Sequence, residues 1–277
     1  INKFRTRLVF FSIILVSLNI LFVYLFNYKS ISRDTILKLP STVEFIKQNK
    51  DSEPYRVYSV FPGFSLYNEY LIKCDKQNDS DAFYIQKEML APNINMLYGI
   101  DIVDGYENFI PKILSDKIAY IGSENSFSKD NILNKSSTIE EKIDQVQKNK
   151  DILRLMNVKY LLSMYKFSDT DFKLLKTSNL PCNSHIYIYE LSSYLPRYFY
   201  TNSLINIYDN KNIKGIIPDY KKEETILNFT AEDDGYLFIG NTYLPLYEIY
   251  INKEKTIFLN LVFYFSVLKV KKVVLTK

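Results

Sequence analysis

The sequence predicts an α+β protein with one N-terminal transmembrane helix, a mixed α/β lobe, and then an antiparallel β-sandwich-like lobe. Three observations lead there. Residues 8–26 form an uncharged apolar run, residues 55–60 and 158–162 read as strands around a long amphipathic helix, and strand-like segments with turn signals fill the chain from 184 onward.

The apolar run Leu8 to Phe26 reads LVFFSIILVSLNILFVYLF, with only Ser12, Ser17 and Asn19 as polar interruptions. A helix of that length crosses the hydrocarbon of a bilayer while satisfying its own backbone groups. Lys3, Arg5 and Arg7 precede it, so the positive-inside tendency places the start of the chain in the cytoplasm and everything after about residue 30 outside. A cleaved secretion signal and a buried helix are the competing readings. The run is longer than a usual signal core, and the following NYKSISRD offers no small-x-small cleavage site. The chain starts at Ile1 rather than methionine, which raises the expectation of further protein, including further membrane helices, upstream.

The mixed lobe spans about 40–170. Ser41 with Glu44 three residues on matches a helix start with a capping box, and the helix ends near Asn49. Tyr55 to Val60 alternates in a β-rich composition and reads as a strand. Ala82 to Leu90 has helical character that Ala91-Pro92-Asn93 ends. Thr138 to Met156 places Ile139, Ile143, Val146, Ile152, Leu153 and Met156 on one face, and Val158 to Leu162 follows as a buried strand.

The sandwich-like lobe spans 184–277. Strands are expected at 185–191, 197–200, 203–208, 225–231, 235–242, 248–251, 256–265 and 268–275, with turns at Asp209-Asn210, Asp233-Asp234-Gly235 and Asn252-Lys253. Ile257 to Val270 is apolar but only 14 residues long, which suits a core hairpin better than a second span. No low-complexity linker divides the two lobes, so they are expected to pack together.

Composition narrows the chemistry. The 277 residues carry 35 Lys and Arg against 31 Asp and Glu, with no basic block to track a phosphate backbone, so nucleic acid is not an expected partner. The 24 tyrosines and 19 phenylalanines against 7 glycines favour pleated, half-buried strands over phosphate-cradling loops. Cys74 and Cys182 could pair in an oxidising compartment, but neither has a C-x-x-C companion, and His185 is the only histidine, so no zinc site is expected. His185 sits in a strand-like stretch and reads as a surface or strand-edge residue rather than a triad base. Asp101, Asp104 and Glu107, and separately Glu232, Asp233 and Asp234, are acidic groupings that read most simply as solvated turns. No cofactor and no catalytic residue is assigned.

Several segments in order carry a resemblance. They are Pro54-Tyr55-Arg56-Val57, Pro92 to Ile100, Gly105-Tyr106-Glu107, Leu155 to Leu162, Tyr189-Glu190 with Leu195-Pro196-Arg197, and Asp234-Gly235-Tyr236-Leu237 through Tyr243-Leu244-Pro245. Over roughly residues 50–270 the chain resembles the outer domain of YfhO-type bacterial membrane proteins. Leu246-Tyr247 replace the family's Gly-Trp, Asn252-Lys253 replace its Asp-Gly, and its closing His is not evident near Lys271. Asn252 would then have to supply the positive φ that glycine adopts at low cost. The resemblance implies a polytopic, glycosyltransferase-like protein taking sugar from a polyprenyl-phosphate carrier, with its catalytic acids in an upstream loop. This chain would be an accessory outer domain beside lipid bilayer, lipid-linked sugar and envelope glycopolymer. Candidate ligand contacts are Tyr106, Glu107, Arg197 and Tyr243, because arginine grips phosphate or carboxylate as a fork and tyrosine stacks on sugar rings. The alternative is a single-span surface module that binds carbohydrate or an envelope protein without catalysis.

Overall fold

The computed structural model describes residues 10–21, 33–60, 79–91, 93–103, 138–180, 183–203, 207, 213–221, 224–231, 233–242, 248–252, 254–256, 259–261 and 265–270. Cys74, Cys182, Tyr106, Glu107 and Tyr243 lie outside them, as do most of the expected strand at 203–208 and the turn at Asp209-Asn210.

Helix α1 covers 10–21, and all of its residues are exposed. Among the described residues no helix is long and apolar enough to cross a membrane. The rest of the apolar run, residues 8–9 and 22–26, is outside the described part.

Two short helices, α2 (Arg33–Leu37) and α3 (Ser41–Gln48), lead into β1 (Arg56–Ser59). Pro40 occupies the N-cap of α3, so the expected Ser41–Glu44 capping box does not form. A distant carboxylate takes its place. The amides of Ser41 and Thr42 donate to Glu88 Oε1 and Oε2 at 2.8 and 3.0 Å, and the Ser41 hydroxyl donates to Oε2 at 3.2 Å. An anion at a helix N-terminus satisfies orphan amides and complements the helix dipole. Glu88 closes helix α4 (Asp79–Glu88), and a 3-10 helix follows at Ile94–Tyr98.

The long helix expected over 138–156 is two helices, α5 (Ile139–Lys148) and α6 (Lys150–Leu155). Thr138 and Glu141 form a reciprocal capping box at its start. The break falls at Asn149, whose Nδ2 donates to Gln145 O at 2.8 Å and competes with the helical ladder. Asn157, at φ 62°, then turns the chain into β2 (Val158–Ser163).

Strands β3 (Phe172–Asn179) and β4 (His185–Leu191) complete a mixed sheet of order β1-β2-β4-β3, in which β1 and β2 are parallel and the other pairs antiparallel. β3 was not anticipated. β4, which the sequence assigns to the C-terminal lobe, belongs to this first sheet.

The remaining strands are β5 (Tyr198–Thr201), β6 (Pro218–Tyr220), β7 (Thr225–Leu227), β8 (Gly235–Thr242), β9 (Ile249–Ile251), β10 (Glu254–Thr256), β11 (Leu259–Leu261) and β12 (Phe265–Val270). They make an antiparallel sheet of order β11-β12-β8-β5 and two hairpins, β6-β7 and β9-β10. Asn252 turns the second hairpin at φ 51°, as the missing glycine requires.

Alternation along β4 shows how the layers stack. Ile186 and Ile188 enter a cluster with Val43 and Ile46 of α3 and Ile85 and Met89 of the α4 end, while Tyr189 and Leu191 enter a cluster with Ile152 and Leu153 of α6. Phe199 of β5 and Phe238 of β8 join that second cluster, their rings stacked at 4.7 Å. The two sheets therefore share one core, as the absence of a linker suggests. The opposite face of β8 and β12 holds Leu237 and Leu268, against which Leu227 of β7 and Ile251 of β9 pack. All six residues of β2 are buried, which fits its position inside a covered sheet.

Candidate functional site

The junction of the two sheets gathers charged and polar side chains from segments far apart in sequence. Arg56 opens β1, and its amide donates to Asn157 O at 2.8 Å. Its guanidinium crosses to the second sheet, where Nη1 donates to Gly240 O at 2.8 Å and Nη2 to Asn241 Oδ1 at 3.2 Å. Nη1 also reaches Met156 O at 3.1 Å. Asn241 Nδ2 in turn donates to Tyr198 Oη at 2.9 Å.

Arg197, one residue before β5, comes from the other side. Its Nη2 donates to Asp101 Oδ2 at 2.7 Å, and its carbonyl accepts from Gly240 N at 2.6 Å. A Cβ on Gly240 would lie 3.0 Å from that carbonyl oxygen, so the residue there is glycine for close approach. Asp101 is itself held by the sheet: Val57 N donates to its carbonyl at 2.9 Å, and Ile102 bridges Val57 in parallel. The approach to Arg197 is set by Asn157, whose Nδ2 donates to Leu195 O at 2.8 Å, and by Arg154, whose Nε donates to Ser192 O at 2.9 Å.

Among the described residues, two guanidinium groups and one carboxylate leave this junction with an excess positive charge. Burial, followed by the neighbouring Arg197 charge, lowers the Arg56 pKa to about 10, with Asp101 opposing. Burial also works against the charge on Arg197, but the hydrogen bond and charge of Asp101 outweigh it and its pKa is raised. Burial and nearby Tyr220 push the Tyr198 phenol up to about 12. Both arginines therefore stay cationic at neutral pH. Arg197 Nε is buried without a hydrogen-bond partner.

A second polar grouping surrounds Lys159, whose side chain is only 8% exposed. Its Nζ lies 2.5 Å from Asp51 Oδ2 and 4.9, 5.3 and 5.8 Å from the ring centres of Tyr160, Tyr55 and Tyr194. Tyr194 Oη donates to the same carboxylate oxygen at 3.1 Å. This aromatic cage is filled by the chain's own ammonium, so it acts as a packed ion pair with cation–π support.

Of the residues the sequence singles out, Arg197 lies at the sheet junction and Asp101 is its partner. Tyr106, Glu107 and Tyr243 are outside the described residues. Asp233 is exposed, its carbonyl accepting from Tyr200 Oη at 2.6 Å. His185 is exposed at the start of β4, its Nδ1 3.0 Å from Asn179 Oδ1. Among the described residues no three His, Cys, Asp or Glu side chains are grouped to hold a metal ion. Sequence reasoning missed the reach of Arg56 to Asn241. The signals were an arginine opening an otherwise β-forming strand and its place in the segment Pro54-Tyr55-Arg56-Val57.

The segments Pro54 to Val57, Leu155 to Leu162 and Leu195 to Arg197 meet at this junction, through Arg56, Met156, Asn157 and Arg197. The arrangement can hold the two sheets in register around two buried cationic guanidinium groups, and among the described residues it brings no nucleophile together with a base. In comparisons with known proteins, no family model matches the chain, and no curated protein or solved structure matches it.

Proposed function

We propose that the chain is the C-terminal extracytoplasmic region of a polytopic membrane protein of the YfhO type, supporting transfer of sugar from a polyprenyl-phosphate carrier to a cell-envelope acceptor. The observation that carries the membrane part is α1. Its side chains from Phe10 to Leu21 are predominantly large and apolar yet lie exposed, Phe10 at 67% and Leu21 at 51%. Apolar surface left in water costs about 25 cal/mol per Å², so a helix whose described side chains are all exposed belongs in lipid or against other membrane helices. On this reading residues after about 30 lie outside the cell, and the antiparallel sheets after residue 197 form the sandwich-like outer lobe.

The transfer part rests on the ordered sequence segments and on three of them converging at the Arg56–Arg197 junction. Tyr106, Glu107, Arg197 and Tyr243 are the proposed ligand contacts, and the domain's role is accessory: it shapes an acceptor site above the membrane. Deleting residues 40–277 from the full-length protein, followed by sugar analysis of the envelope polymers and lipid-linked intermediates, tests it. Loss of one sugar substituent is the expected result. Unchanged glycan composition overturns the transfer role.

A further inference from the structure

Two exposed apolar surfaces sit at the same end of α4. The first belongs to α2 and the residues after it, where Ile36, Leu37 and Leu39 are all exposed. The second is the 3-10 helix, whose Met96 and Leu97 are 73% and 70% exposed, the highest values among the exposed large hydrophobic side chains of the described residues.

Both surfaces are fastened to the last turn of α4. Lys87 Nζ donates to Ile36 O at 2.7 Å and to Lys38 O at 2.6 Å, which pins the C-terminal end of α2 there. Lys38 Nζ lies 5.1 Å from the Tyr84 ring centre, one turn earlier on the same helix. Just beyond Lys87 in sequence, Leu90 N donates to Lys87 O, Ala91 N to Gln86 O, and Ile94 N to Ala91 O, a run of tight turns delivering the 3-10 helix. Rigid attachment matters: these side chains are held outward by a folded support.

Chain connectivity indicates what covers them. Only residues 22–32 separate the described end of α1 from Arg33, a length of chain that spans at most about 40 Å. If α1 lies in the bilayer, α2 is the first element described after it. A soluble domain exposes scattered apolar residues singly, whereas five exposed apolar residues on two segments fastened to one helix end, one of them the first element described after α1, fit an interfacial contact. Tyr98, half-buried beside Leu97, is of the residue type enriched at headgroup depth.

We propose that α2 and the 3-10 helix rest on the outer surface of the lipid bilayer through Ile36, Leu37, Leu39, Met96 and Leu97, so that the domain keeps one fixed orientation to the membrane. This rests on the membrane-anchor reading of α1.

The chain contains no tryptophan, so a single introduced one reports its own environment. The experiment places the full chain in phosphatidylcholine vesicles with brominated acyl chains and compares L15W, L37W, L97W and I217W, all at exposed positions. Fluorescence loss at 37 and 97 approaching that at 15, with little at 217, is expected. Quenching at 15 with none at 37 or 97 overturns the surface contact and leaves the anchor intact. No quenching at 15 overturns the anchor reading and the contact with it. Quenching at 217 equal to that at 97 shows that the domain has no preferred face and likewise overturns the contact.

Discussion

Arg197 donates through Nη2 to Asp101 Oδ2 at 2.7 Å, tying the segment beside β1 to the strand that borders the second sheet. The pair is lopsided. The Arg197 side chain is 9% exposed and that of Asp101 60%, so water already solvates the carboxylate but not the guanidinium. Removing the acid should hurt more than removing the base, because it leaves a buried charge facing Arg56. D101N is expected to cost about 1–2 kcal/mol, below the ~3–5 kcal/mol of a fully buried broken pair because half of this one is hydrated. Adding R197M to D101N should recover part of that loss. Urea unfolding of the single and double variants measures it, and strictly additive costs would contradict the account.

Asn157 does two jobs at once, adopting φ 62° and donating to Leu195 O. Alanine loses the hydrogen bond and pays the left-handed strain, while glycine loses only the bond and some chain entropy. N157A is expected to cost about 2–3 kcal/mol and N157G about 1 kcal/mol less. Chemical denaturation checks the order, and a glycine variant weaker than the alanine variant would reverse it.

Helix capping differs between α3 and α5. Thr138 caps α5 from an exposed position within its own helix, so T138A should cost about 1 kcal/mol. Glu88 caps α3 from across the fold and receives two amides and the hydroxyls of Ser41 and Thr42 in a largely buried place, so E88A should cost about 2–4 kcal/mol. Thermal unfolding of both variants provides the comparison. Equal shifts would mean that Glu88 does not hold the two helices together.

Alkaline pH should unfold the domain through its tyrosines. Burial, then Tyr160, raises Tyr55 to about 12, and burial, then Tyr220, raises Tyr198 to about 12, from an ordinary value of 10.0. A raised folded pKa means stability that is complete below pH 10 and lost as pH climbs from there through about 12, because the unfolded chain ionises first. Arg56, lowered from 12.5 to about 10, works in the opposite direction over that window. Tyr84, Tyr160, Tyr189 and Tyr194 are also raised and outnumber it. Denaturant midpoints from pH 9 to 12, followed with tyrosinate absorbance, should fall together as ionisation proceeds.

Sequence reading recovered the elements whose pattern is local. The bounds of β4 and β8 match their apolar segments, and the positive φ of Asn252 follows from a turn without glycine. β3 escaped because FKLLKTSN buries only Phe172 and Ser178; an edge strand with one mostly exposed face offers little alternation. The α3 cap was misassigned because Ser41 matched a local motif, while the group that binds the amides is 46–47 residues away. The site was half visible for the same reason. Arg197 stood out by type, but its meeting with Asp101, and that of Arg56 with Asn241, depends on two sheets packing, which no local spacing encodes.

The central claim is that α1 lives in lipid and holds the rest of the chain at a membrane. Alkaline carbonate washing of membranes from cells expressing the full-length protein tests it most directly. The chain is expected to stay in the pellet and to need detergent for release. Recovery in the wash as a monodisperse, detergent-free species would contradict the account.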